Sequence, residues 1–185
     1  MTKEDIRLSM RLKRRALTSD EVKCAGRNIC RQIFSLDFIK DAKTVMTFIS
    51  SFKEPDTIGI FEELKKQKKN IVLPISNTEN FTIIPSYIDS SSSLTEGAYG
   101  IKEPSVIKPA RPSNIDVAII PGIAFTKKGE RLGFGKGYYD KFLSEFNGIK
   151  IGICYEFQLL DNLPTAEHDI NMDIIITEKR IYSDF

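Results

Sequence analysis

At 185 residues and 41% apolar, the chain is long enough to bury a core unaided and reads as one domain spanning 1–185. A formal net charge of +2 gives no whole-molecule case for nucleic acid or a lipid surface, and no apolar run approaches the ~18 residues of a membrane helix. Cys24, Cys30 and Cys154 are sparse, odd in number and without a CxxC pair, which argues against a disulfide or metal framework and for a reducing interior.

Charge is unevenly placed. Residues 1–32 hold nine Lys/Arg against four acids, a net +5 that leaves −3 for the rest. Thr2 with Asp5 forms a capping-box-like start, and a helix is expected to run to about Leu17 with Ile6 and Met10 on one face. Lys3, Arg7, Arg11 and Arg15 recur every four residues, so the spacing predicts a basic stripe: a solvated face or an anion site. No apolar h-region follows, so the start does not read as a secretory signal, and Glu4 and Asp5 argue against a transit peptide. Cytoplasm is the expected compartment.

Thr18 and Glu21 open a second helix carrying Val22, Ala25, Ile29 and Ile33. "TVMTFIS" (44–50) reads as a buried strand, followed by Glu54 and a helix that begins at Pro55 and runs through "GIFEELKKQ". Strands are expected at 70–75 and 81–87, a long Ser/Gly/Pro-rich surface loop at 88–115, and another strand at 116–121. The glycine-rich "RLGFGKGYYD" (131–140) then leads into a helix starting near Lys136. Strands at 149–155 and 172–178 follow, with a short strand or tail at the end. Strands alternating with helices, several of them apolar on both faces, predict an α/β domain: three layers, with a mainly parallel mixed sheet flanked by helices.

Three segments carry candidate chemistry. Gly133, Gly135 and Gly137 alternate, a pattern that suits neither helix nor strand but leaves bare N–H groups for a phosphate; a mobile linker is the bland alternative. Neither a Walker A loop nor GxGxxG fits, since Lys136 precedes Gly137 and the third glycine comes one residue early. Asp140 could hold Mg²⁺ or simply face the helix dipole, and Asp169 in "EHDI" is a second acid beside His168, the only histidine. Glu54 stands at the carboxyl end of a strand, where ligands bind, although a helix-capping acid would look the same.

Together, Lys3 with Arg7, "FISSFKEPDT", "PGIAFTKKGERLGFGKGYYDKFL", "FQLLDNLPTAEHDI" and "MDIIITE" resemble, in order, the 5-formyltetrahydrofolate cyclo-ligases, also called methenyltetrahydrofolate synthetases. The resemblance implies an ATP- and Mg²⁺-dependent enzyme closing 5-formyltetrahydrofolate to 5,10-methenyltetrahydrofolate through a phosphorylated formyl group. It implies that Lys3, Arg7 and Arg131, Leu132, Gly133, Phe134, Gly135, Lys136, Gly137, Tyr138 and Tyr139 surround ATP. Arg7, Lys136 and Tyr138 would lie at the reacting end. Ile49, Glu54, Phe134 and Tyr138 would hold the folate, with or without its polyglutamate tail, and Asp140 and Asp169 the magnesium. Phe134 departs from members with arginine there and could wall the pterin instead. The implied partner is this small molecule rather than nucleic acid or membrane, in a monomer or a dimer. An inactive folate- or nucleotide-binding regulator of the same fold is the alternative.

Overall fold

The computed structural model describes residues 1–89, 92–164 and 169–183. Helix α1 (Lys3–Ala16) and helix α2 (Ser19–Ile33) both begin with complete capping boxes, Thr2 with Asp5 and Thr18 with Glu21. A short α3 (Asp37–Asp41), which the sequence pattern had not indicated, leads to β1 (Thr44–Met46). Then come α4 (Ile58–Lys66), β2 (Asn70–Asn77), β3 (Thr82–Ile88), β4 (Leu94–Glu96), β5 (Lys102–Pro104) and β6 (Val117–Pro121). The chain finishes with β7 (Ala124–Phe125), β8 (Arg131–Leu132), α5 (Tyr138–Glu145), β9 (Ile149–Ile153), β10 (Ile174–Ile176) and β11 (Ile181–Ser183).

A seven-stranded sheet runs in the order β11-β10-β9-β6-β1-β2-β3. Its five central strands are parallel, and β3 and β11 close the two edges antiparallel. The expected α/β class with a mainly parallel mixed sheet is therefore what is found. Strand alternation divides the core. Val117 and Ile119 pack with Ile29, Ile33, Ile60 and Leu64 of α2 and α4, whereas Ala118 and Ile120 pack with Phe142 and Leu143 of α5 and with Phe146 just after it. The amino ends of strands are tied by carboxylates: Asp116 accepts from the N–H groups of Lys43 and Thr44, and Asp173 from that of Lys150. The carboxyl ends are left for the loops that build the site.

Helix α1 covers neither sheet face. Its Ile6 and Met10 pack with Ile123, Ala124 and Leu132 of the β7–β8 hairpin, beyond the carboxyl end of β6. That placement corrects the expected stripe. A step of four residues drifts ~40° around a helix, so the three steps from Lys3 to Arg15 wind off any one face. Lys3 and Arg7 turn inward while Arg11 and Arg15 are exposed.

Other expectations are corrected too. The strand expected over 44–50 stops at Met46, because the Thr57 hydroxyl donates to the Phe48 carbonyl (2.7 Å) and accepts from the Ser50 N–H (3.0 Å). Those backbone groups are thereby taken from the ladder. Since Thr57 is committed there, α4 starts only at Ile58 instead of Pro55, where the Asp56 carboxylate accepts from the Ile58 N–H at 3.0 Å. The 88–115 segment is not only loop: β4 and β5 pair antiparallel within it. Helix α5 starts at Tyr138 rather than near Lys136, because Gly135 and Gly137 have φ of +102° and +75°, outside the helical region.

Candidate active site

Strand β6 ends at Pro121, and the chain then turns twice before α5. Gln158, 1% exposed, donates to the carbonyls of Gly122 (3.2 Å) and Ile123 (2.7 Å) and fixes that exit. The β7–β8 hairpin presents Arg131, whose guanidinium pairs with Asp140, donates to the Pro121 carbonyl at 3.5 Å and lies 5.6 Å over the Tyr139 ring. Arg131 is buried, and its Nε has no partner among the described residues. The glycine segment passes directly above it: a side chain at Gly133 would start 2.8 Å from Arg131 Nη1.

From the other side comes α1. Arg7 Nε donates to the Gly133 carbonyl at 3.0 Å, and a side chain at Gly135 would start 3.2 Å from the Arg7 Cζ. The missing side chains thus let two guanidinium groups close on one short stretch of backbone. One turn earlier, Lys3 reaches Asp169 at 3.3 Å, and Arg7 also pairs with Glu4. These contacts bring two guanidinium groups, each paired with a carboxylate, to the segment that leads into α5, whose N-terminus adds its own partial positive charge.

Aromatic groups rim the exposed side. Tyr138 meets Phe81 edge-on at 5.8 Å and Tyr99 at 6.4 Å, with the two tyrosine hydroxyls 3.3 Å apart. Lys136 is exposed, its ammonium 5.6 Å over the Phe81 ring, and Phe134 is 41% exposed nearby in sequence. Burial, then the Tyr99 hydroxyl, push the Tyr138 phenol up to about 12, so it is a hydrogen-bond donor near neutrality.

Beyond β1, half-buried Ile49 precedes a turn from Ser51 to Glu54. Glu54 is 6% exposed; its Oε2 accepts from the Ser51 N–H at 2.9 Å and its Oε1 lies 3.8 Å from Arg14. Burial raises the Glu54 carboxyl above 4.5, while Arg14 and the Ser51 hydrogen bonds pull the other way.

This arrangement has close relatives. The family model described as the 5-formyltetrahydrofolate cyclo-ligase family matches residues 1–178. The chain belongs to that family. Enzymes named 5-formyltetrahydrofolate cyclo-ligase from Haemophilus influenzae and Escherichia coli K12 are each 29% identical, over 94% of this chain and 97% and 98% of theirs. The solved 5,10-methenyltetrahydrofolate synthetase of Aquifex aeolicus superposes with a TM-score of 0.88 at 34% identity, covering 99% of this chain and 93% of that one. That of Mycoplasma pneumoniae gives 0.78 at 30% identity, covering 97% and 100%.

The cyclo-ligase positions expected from sequence fall into two groups. Lys3, Arg7, Arg131–Tyr139, Asp140 and Asp169 are linked through the contacts between α1, the glycine segment and α5. Ile49 and Glu54 stand at the end of β1, where Arg14 links Glu54 to α1 and Tyr139 of α5 faces it. Asp140 and Asp169 each sit beside a cation, and no cluster of three or more His, Cys, Asp or Glu suited to a metal occurs among the described residues. His168 lies outside the described residues. Sequence reasoning passed over Arg14, Phe81, Tyr99 and Tyr155. Arg14 had a signal: it follows Arg7 by seven residues, which returns within ~20° of the same helix face, closer than Arg11 or Arg15. Tyr99 had none, since its contact spans 39 positions from inside a segment read as loop.

Proposed function

We propose that this protein converts 5-formyltetrahydrofolate and ATP to 5,10-methenyltetrahydrofolate, ADP and phosphate. The observation that carries this reading is the meeting of α1 with the glycine segment, 126 positions apart at Arg7 and Gly133. It gathers cations and bare backbone at the carboxyl end of a parallel sheet, the arrangement expected of a polyphosphate site.

The chemistry asks for little else. The N5 lone pair feeds the formyl carbonyl, so its carbon resists attack by N10. Transfer of the terminal phosphoryl group to the formyl oxygen breaks the bond to ADP and makes that oxygen a leaving group. N10 then adds to the same carbon and loses its proton, and the carbon–oxygen bond breaks to release phosphate. Ring closure within one bound molecule gains the full advantage of proximity.

Phosphoryl transfer depends on positioning and on stabilising negative charge. Lys3, Arg7, Arg131, Lys136 and the amides from Leu132 to Tyr139 fill that role here. Tyr138, kept protonated, donates toward the formyl oxygen. Ile49, Glu54 and exposed Phe134 hold the pterin. Asp140 and Asp169 fit magnesium in kind, being hard oxygen donors; the ion takes one or two carboxylates beside substrate phosphates. Bound there, it would offset phosphate charge.

Purified protein mixed with 5-formyltetrahydrofolate tests the reading. Growth of the methenyl absorbance that requires ATP is the expected result. Binding of folate or nucleotide without that growth would favour an inactive regulator of the same fold.

A further inference from the structure

We propose that Arg14 is a positioning residue for the folate half of the reaction: it locks the Ser51–Glu54 turn and the Glu54 carboxylate in the arrangement that receives the pterin. The inference rests on Glu54 contacting the folate, as assigned above.

The turn needs an outside hold. Phe52 and Lys53 have φ of +48° and +56°, two successive side-chain-bearing residues in the left-handed region. Glu54 N–H closes the turn on the Ser51 carbonyl at 2.9 Å. Such a pair persists only where surrounding contacts over-determine it. Arg14 supplies two of them from one Nη2, donating to the Ser51 carbonyl at 3.3 Å and to that of Phe52 at 2.6 Å. The Tyr155 hydroxyl donates to the Lys53 carbonyl at 3.1 Å, and the Lys53 ammonium to that of Leu17.

The same guanidinium serves the carboxylate. Groups facing Glu54 are Arg14 from α1, Tyr139 from α5 and Tyr155 from the segment after β9. Burial drives both phenols upward, so they stay neutral, and Arg14 alone of the three brings positive charge. Its burial is poorly compensated in return. The residue is 2% exposed, and its Nε and Nη1 find no partner among the described residues. Replacing the whole Arg14–Glu54 pair by apolar side chains of similar size would fill this space about as favourably. Packing of α1 therefore does not account for an arginine here, whereas the shape and charge of the Glu54 turn do.

The test measures affinity for 5-formyltetrahydrofolate and for Mg–ATP separately, by calorimetry, in Arg14→Met, Arg14→Lys, Glu54→Gln and the Arg14→Met/Glu54→Gln double variant. Arg14→Met is expected to weaken folate binding about tenfold and to leave nucleotide binding unchanged. Its folate affinity should also begin to fall at a higher pH than in wild type as the solution is acidified, because Glu54 loses its cation. Arg14→Lys should recover part of the loss, and in the Glu54→Gln background Arg14→Met should cost clearly less than it does alone. If Arg14→Met does not fold, Arg14→Lys still decides, through a smaller loss confined to folate. Unchanged folate affinity, equal loss for both ligands, or additive effects in the double variant would overturn the role of Arg14. A wild-type protein that does not bind 5-formyltetrahydrofolate, or a Glu54→Gln variant that binds it normally, would instead overturn the underlying assignment.

Discussion

Arg7 and Lys136 reach the glycine segment in different ways: one is bonded to its backbone, the other projects from it into solvent. In the proposed reaction both stabilise charge on the transferring phosphoryl group. Arg7→Ala and Lys136→Ala are each expected to lower kcat by about a hundredfold or more, with circular dichroism unchanged. Near-normal turnover in both would remove them from the site. Gly135 gives a test that touches no charge. Alanine there would have to hold φ of +102° and would press on the Arg7 guanidinium, so Gly135→Ala should cost about 1 kcal/mol or more of stability and weaken ATP binding. Asp140→Asn should raise the magnesium concentration needed for half-maximal rate at saturating ATP; an unchanged titration would take Asp140 out of the metal site.

Among the elements, α1 was the most legible and also the most misleading. Both capping boxes and the Ile6/Met10 face could be read directly, because they depend on neighbours three or four residues away. The basic stripe misled because a four-residue step was taken for one face, whereas the seven-residue step from Arg7 brings Arg14 in and leaves Arg11 and Arg15 exposed. Strand β1 ended early for a reason no local pattern carries, a threonine hydroxyl from the next helix start bonding its extension. Thr57, fully buried, should make that bond measurable: Thr57→Val strands the Ser50 N–H and the Phe48 carbonyl, at an expected cost of about 1–3 kcal/mol in denaturant unfolding. The β4–β5 hairpin was hidden because its strands are three residues each, Leu-Thr-Glu and Lys-Glu-Pro, too short and polar to show alternation inside a Ser/Gly/Pro-rich segment.

Across the whole molecule, the division of labour follows the sheet. Alternating apolar residues on β6 and β9 build two cores that need no chemistry, so their pattern was clear in the sequence. The site is assembled from contacts between distant segments, and the glycines, whose absent side chains are visible in any sequence, announced it most plainly. The buried Arg14–Glu54 pair spans both levels and gives stability a pH dependence. Burial raises the folded carboxyl above 4.5, so the Glu54 contribution is fully present below that value and is lost as pH rises through the folded pKa. The melting temperature of wild type relative to Glu54→Gln should therefore decline as pH increases from about 4.5 toward neutrality; a constant difference would show that Glu54 does not titrate in this way.

The central claim is that one nucleotide site is shared by the first turns of α1 and the glycine segment. A crystal structure with magnesium and a non-hydrolysable ATP analogue tests it most directly. Phosphates lying between Lys3, Arg7 and the amides of Gly133–Gly137 are the expected result. A nucleotide bound elsewhere, or none between those two segments, would contradict the account.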